Sequence, residues 1–110
     1  MLKMDMEYNR GVLFVRLDGI LNRSTSYKLN NYLVPVILKH KIKYLVYNCF
    51  LLESIDECGL DAILNTKCAI KTNKGKLYVC EIPIEYIKTF RNAVLKKTSS
   101  EITALELLKI

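Results

Sequence analysis

The chain has 110 residues, and its 17 basic and 11 acidic side chains leave a formal net charge of +6. With 51% hydrophobic and 25% charged residues it has the composition of a folded soluble domain, which excludes intrinsic disorder, and the length supports one domain over residues 1–110 rather than two. No apolar run approaches the roughly 18 residues of a bilayer-spanning helix, and the alternating start MLKMDMEYNR has no continuous apolar stretch of the secretory kind, so the expected address is the cytoplasm.

Leu2, Met4, Met6 and Tyr8 alternate with Lys3, Asp5 and Glu7, which predicts a half-buried strand. Asn9-Arg10-Gly11 supplies turn chemistry, and Val12–Leu17 reads as the returning strand of a hairpin, ended by Asp18-Gly19. Leu29, Leu33, Val36 and Ile37 then fall at helical spacing, with Ser24 or Thr25 available as N-cap and Pro35 set to kink or break the helix. The run 42–50, IKYLVYNCF, is nearly continuously apolar and fits a central strand covered on both faces.

An acidic turn, LESIDECGLD, leads into a second helix marked by Leu60, Ile63, Leu64 and Ala69 and stopped at Asn73-Lys74-Gly75. KLYVCEI (76–82) is a further buried strand. Pro83 stands at the first position of a helix carrying Ile84, Ile87, Phe90 and Val94. Thr98 and Glu101 have capping-box spacing ahead of Ile102, Leu105 and Leu108. The order β-β-α-β-α-β-α-α predicts a single α/β domain, a mixed four-stranded β-sheet covered by about four α-helices.

The positive charge is uneven. Residues 67–110 carry nine basic and four acidic side chains, but the lysines from Lys67 to Lys109 are dispersed and no nucleic-acid motif accompanies them. A solvated basic face is the expectation, with no nucleic acid as partner. The four cysteines, 49, 58, 68 and 80, form no C-x-x-C pair, and the single histidine, His40, lies in the lysine-rich KHKIK stretch, so neither a structural metal nor a cofactor is expected. Cys49 and Cys80 read as small buried hydrophobes. No phosphate-binding glycine loop is present. A catalytic Cys58–His40 pair, or a carboxylate or cation site among Glu53, Asp56, Glu57 and Asp61, has less support than a solvated strand-to-helix turn, and the chain is not expected to be an enzyme.

The segment SIDECGLDAIL (54–64) resembles the signature of STAS domains, the bacterial anti-sigma factor antagonists and their relatives, in which a buried strand meets a loop reading roughly Asp-Ser-Ser/Thr-Gly-Leu and then a helix. Asp56, Gly59 and Leu60 fit that pattern. VLFVRLDGILNRSTS (12–26) is similar to the family's second strand and its L-x-G-x-L-D-x-x-T segment, and KTNKGKLYVCEIPIEYIKTF (71–90) to its Gly-strand-helix segment. The resemblance implies transcription regulation by partner switching. The unphosphorylated domain binds an anti-sigma factor that is also a serine kinase, or a related kinase-fold regulator, and phosphorylation at the start of the helix breaks the complex.

On this resemblance the partner surface comprises Asn22, Ser24, Thr25, Ser54, Asp56, Glu57, Cys58, Gly59, Leu60 and Asp61. Cys58 stands where the phosphorylated hydroxyl belongs, Glu57 where a small polar residue is usual, and Asn22 in place of an aspartate. Three readings of Glu57-Cys58 stay open: a Ser54-x-x-Glu57 capping box with Cys58 as a near-isostere of serine, a fixed negative charge from Glu57 beside the switch position, or a redox-sensitive thiol at a helix N-terminus. An accessory STAS subunit of a lipid-transport, transporter or stressosome-like complex is the alternative role.

Overall fold

The hairpin forms, but its second strand does not end at Asp18-Gly19 as expected: it runs through them to Leu21. In the computed structural model, which describes residues 1–108, β1 (Leu2–Asn9) pairs antiparallel with β2 (Val12–Leu21). Lys109, the last of the dispersed lysines, lies outside those residues. Only the start of β1 is covered: Leu2 is buried and Met4 half-buried, but Met6 and Tyr8 are exposed on an edge strand.

The chain then passes through the π-helical turn Lys28–Leu33 into α1 (Val34–Lys39). Pro35, which has no N–H to donate, sits in the first turn of α1, and the winding before it is widened so that the Val34 N–H reaches Leu29 O. The expected break at Pro35 is this change of winding. Neither Ser24 nor Thr25 caps the helix. Asn22 opens the turn instead, its backbone O accepting from the N–H of Thr25 and Ser26 at 3.1 and 2.8 Å.

β3 (Tyr44–Ile55) runs parallel to β2 and extends past residue 50 to take in Ser54. It leads into α2 (Glu57–Thr72). The stop at Asn73-Lys74-Gly75 forms as expected: Lys74 is left-handed at φ +61° and the Gly75 N–H reaches back to Ile70 O. A Cβ on Gly75 would lie 1.7 Å from Lys43 O, so only glycine lets the chain pass that corner into β4 (Lys76–Cys80).

Beyond β4 the structure departs from the sequence reading. Pro83 is the residue before the short turn Ile84–Tyr86, and α3 (Ile87–Asn92) ends early, leaving Val94 exposed at φ +58°. The three residues of β5 (Lys96–Thr98) then add a fifth strand, parallel to β4. Among the described residues the sheet therefore has five strands, not four. Lys-Lys-Thr carries no apolar alternation, and the strand exists because Tyr78–Cys80 offers it a ladder. The expected Thr98–Glu101 capping box is absent as well: Thr98 closes β5, and Ser100 Oγ accepts the Thr103 N–H at 3.2 Å to start α4 (Glu101–Leu108).

The strand order is β1-β2-β3-β4-β5. Three successive parallel crossovers advance in one direction, and right-handed crossovers then place α1, α2 and α3 on the same face. Residues of all three pack with that face in one cluster that includes Leu33, Ile37, Ile63, Ile70 and Phe90. α4 covers the opposite face through Ala104 and Leu108, which pack on Val12, Phe14, Val46 and Tyr78.

Candidate functional site

The loop between β3 and α2 is built around one carboxylate. Asp56, in extended conformation at the end of β3, is the N-cap of α2: its Oδ1 accepts the Gly59 N–H at 2.8 Å. Ser54 lies within β3, so the Ser54–Glu57 capping box does not form. The second oxygen of Asp56, Oδ2, accepts the Arg23 N–H at 3.0 Å, and the Asp56 N–H donates to Leu21 O at 3.2 Å. One side chain thus ties the turn after β2 to the first turn of α2, two segments 33 residues apart.

Gly59 completes the junction. A Cβ there would approach Leu21 O to 2.4 Å, so the first turn of α2 lies against the end of β2 with no space for a side chain. Within the β2 turn Asn22 Oδ1 accepts the N–H of Ser24 at 2.9 Å and of Thr25 at 3.2 Å. Thr25 is buried, and its hydroxyl donates to Ile20 O at 2.8 Å while accepting the Asn22 N–H at 2.9 Å. Thr25 holds the turn from within.

These bonds leave a definite surface. Ser24, Glu57, Cys58 and Asp61 are exposed, Asn22, Ser54 and Leu60 are half-buried, and Gly59 is buried. The structure brings the residues singled out in the sequence onto one end of the sheet, with Thr25, Asp56 and Gly59 as the frame. Cys58 occupies the second position of α2 with its thiol in solvent. It has no histidine base: the α2 C-cap Asn73 donates to Ile37 O and Ile42 O, which flank His40, so His40 lies at the far end of α2, about 20 Å away by the helical rise. Cys68 is also exposed, whereas Cys49 and Cys80 are buried as expected, and burial pushes the Cys80 thiol up to about 12.

Two groupings escaped the sequence reading. Tyr47 and Thr66 are both fully buried between β3 and α2, their oxygens 2.7 Å apart, and the Thr66 hydroxyl continues to Ile63 O at 2.6 Å. On the other face Arg16 makes a two-pronged contact with Glu101 at 2.9 and 2.8 Å and reaches Glu7 at 3.2 Å. Asn48 joins the cluster, donating to Glu81 at 2.7 Å and to Glu101 at 3.0 Å. The Arg16 hydrogen bond holds the Glu101 carboxyl below the usual carboxylate range, against the opposing effect of burial. The signal for this cluster was present: Arg16 interrupts the apolar run VLFVRL, and Asn48 interrupts the stretch YLVYNCF that follows Lys43. Among the described residues no group of three or more His, Cys, Asp or Glu is arranged to hold a metal ion, and no helix is long and apolar enough to cross a membrane.

Comparison with known proteins agrees with this geometry. The family model described as STAS domain matches residues 3–104. An anti-sigma F factor antagonist of Paenibacillus polymyxa is 32% identical over 81 residues, covering 74% of this chain and 69% of that protein. The anti-sigma factor antagonist SpoIIAA in its unphosphorylated form superposes with a TM-score of 0.79 at 15% identity, over 99% of this chain and 98% of the other. A sulfate transporter family protein of Wolinella succinogenes gives 0.77 at 14% identity, over 94% of this chain and 88% of the other. Such low identities establish the shared fold. The match of the family model over residues 3–104 and the 32% identical relative place the chain in the STAS domain family, as an anti-sigma factor antagonist-like member.

Proposed function

We propose that the protein is a non-enzymatic binding module that regulates transcription by competitive sequestration, capturing an anti-sigma factor or a related kinase-fold regulator on the surface formed by Asn22–Thr25 and 53–61. The observation that carries this reading is the Asp56 tie. Bonds to the N–H of Gly59 and of Arg23 make one preorganised patch of two loops, so little ordering cost remains on binding. Glu57, Cys58 and Asp61 are the side chains such a partner meets first.

Cys58 removes the hydroxyl on which a serine kinase acts, so the complex is not released by phosphate at this position. A phosphoryl group would bring about −1.5 to −2 charge into the interface and disrupt it by repulsion and desolvation. Glu57 supplies a single fixed charge beside the same spot. The test is a pull-down of a cognate kinase-type anti-sigma factor with wild type and Cys58→Ser. Both capture it without ATP, and ATP releases only Cys58→Ser, with mass spectrometry finding wild-type residue 58 unmodified. ATP-dependent release of wild type with phosphate on Ser54 would replace this mechanism by a relocated switch.

A role as accessory subunit of a lipid-transport, transporter or stressosome-like complex uses the same fold, and the likeness to the sulfate transporter family protein keeps it in view. Neighbouring genes separate the two: a serine-kinase anti-sigma factor supports the first, transporter genes the second.

A further inference from the structure

The face of the sheet that α4 shares with the Arg16 cluster also carries a cavity of about 430 Å³. Its floor comes from an irregularity in β3. Arg16 pairs with Asn48, but Asp18 pairs with Leu51, so β3 fits one more residue than β2 into this stretch. The Phe50 N–H, turned from the ladder, donates to Asn48 Oδ1 at 2.9 Å. In a regular strand side chains alternate between faces. Here Cys49 and Leu52 are buried, and both residues between them are exposed, Phe50 at 70% and Leu51 at 55%.

Two neighbouring apolar side chains held in solvent by a bulge mark a contact surface better than scattered exposed ones. The rim gives its charge. Asp5, Asp18 and Glu81 line the cavity, against Lys3 and an Arg16 already engaged by Glu101. In a chain of net charge +6 this groove is a local acidic exception.

We propose that this groove binds a protein segment in which an aliphatic side chain is flanked by arginine or lysine. The aliphatic residue covers Phe50 and Leu51, and the cations meet Asp18 and Glu81 while lying against the Phe50 ring. None of the residues lining the groove belongs to the loop 53–61, and binding there does not depend on the chemistry of position 58. Asn48 links the two halves of the groove, since its amide bonds Glu81 and its carbonyl oxygen holds the bulge.

The probe is the tripeptide acetyl-Arg-Leu-Arg-amide, titrated into isotope-labelled protein and followed by amide chemical shifts, with acetyl-Glu-Leu-Glu-amide as control. The expected result is saturable shifts confined to 16–18, 48–51 and 81, absent with the acidic peptide. Phe50→Ser and Asp18→Lys each weaken binding about fivefold or more, a loss comparable to one exposed contact, and both side chains are exposed, so the variants keep the wild-type thermal midpoint within a few degrees. Absence of saturable shifts, equal shifts with both peptides, or shifts centred on 22–25 and 56–61 overturns the proposal. So does a concentration-dependent dimer whose contacts map to Phe50 and Leu51, which assigns the groove to a second copy of the chain.

Discussion

The two faces of the sheet are held by different physics. On the face of α1, α2 and α3, twenty-one buried residues form one continuous cluster, with Tyr47 and Thr66 as a satisfied polar pair inside it. On the face of α4, among the described residues, seven buried ones cluster, and an ion and amide network of Arg16, Glu101, Asn48 and Glu81 borders them. The asymmetry follows from topology. A sheet that grows in one direction by right-handed crossovers sends every crossover helix to the same side, and one terminal helix must cover the other. The crowded face can therefore fix the Asp56 junction rigidly, while the sparse face has room for a groove.

The comparison predicts unequal costs for similar damage. Ile63→Ala, at a fully buried position of α2, is expected to cost about 3 kcal/mol in urea unfolding. Leu108→Ala, at the end of α4 and 9% exposed, is expected to cost about 1–2 kcal/mol, because the helix end can settle into the space. Equal losses would show that the two faces are not distinct. Gly59→Ala comes next, at about 2 kcal/mol, since its Cβ meets backbone Leu21 O rather than a side chain that could swing away. It should also weaken partner capture, because the β2 turn and α2 separate.

Within the crowded face the Tyr47–Thr66 pair sharpens the point. The Thr66 hydroxyl proton goes to Ile63 O, so Tyr47 is the donor to Thr66 Oγ1. Thr66→Val leaves that buried phenol without an acceptor and is expected to cost about 2 kcal/mol. Tyr47→Phe removes the donor but leaves Thr66 bonded to Ile63, and is expected to cost about 1 kcal/mol. Chemical denaturation of both variants checks the order.

How much of this was legible in the sequence depended on the range of the interactions. Period-2 and helical spacing located the hairpin, β3, α2 and β4, and the buried Cys49 and Cys80 followed from the apolar runs around them. The caps were misplaced because Ser, Thr, Asn and Asp compete within a few residues: Asn22 took the turn expected of Ser24 or Thr25, Asp56 took the cap expected of Ser54, and Ser100 that of Thr98. β5 was invisible because its existence rests on the edge of β4 and not on Lys96-Lys97-Thr98. At the candidate site the signature loop was readable, but the tie from Asp56 to Arg23 spans 33 residues and leaves no local pattern.

Acid should distinguish the faces with the smallest perturbation. Glu101 titrates below its ordinary value in the folded chain because Arg16 holds its charged form. A lowered folded value means the stabilisation is fully present above the ordinary carboxylate range and is lost as pH falls through the folded value. As pH falls below the ordinary carboxylate range the Arg16–Glu101 contact is therefore expected to fade and α4 to loosen, while α2, which rests on apolar packing, keeps its protection. Glu101→Gln should cost about 1 kcal/mol near neutrality, a partly exposed ion pair being discounted for solvent, and should flatten this acid limb. Amide hydrogen exchange along α2 and α4 measures both effects. Parallel loss of protection in the two helices, or an unchanged acid limb in Glu101→Gln, would show that the sparse face owes its hold to packing after all.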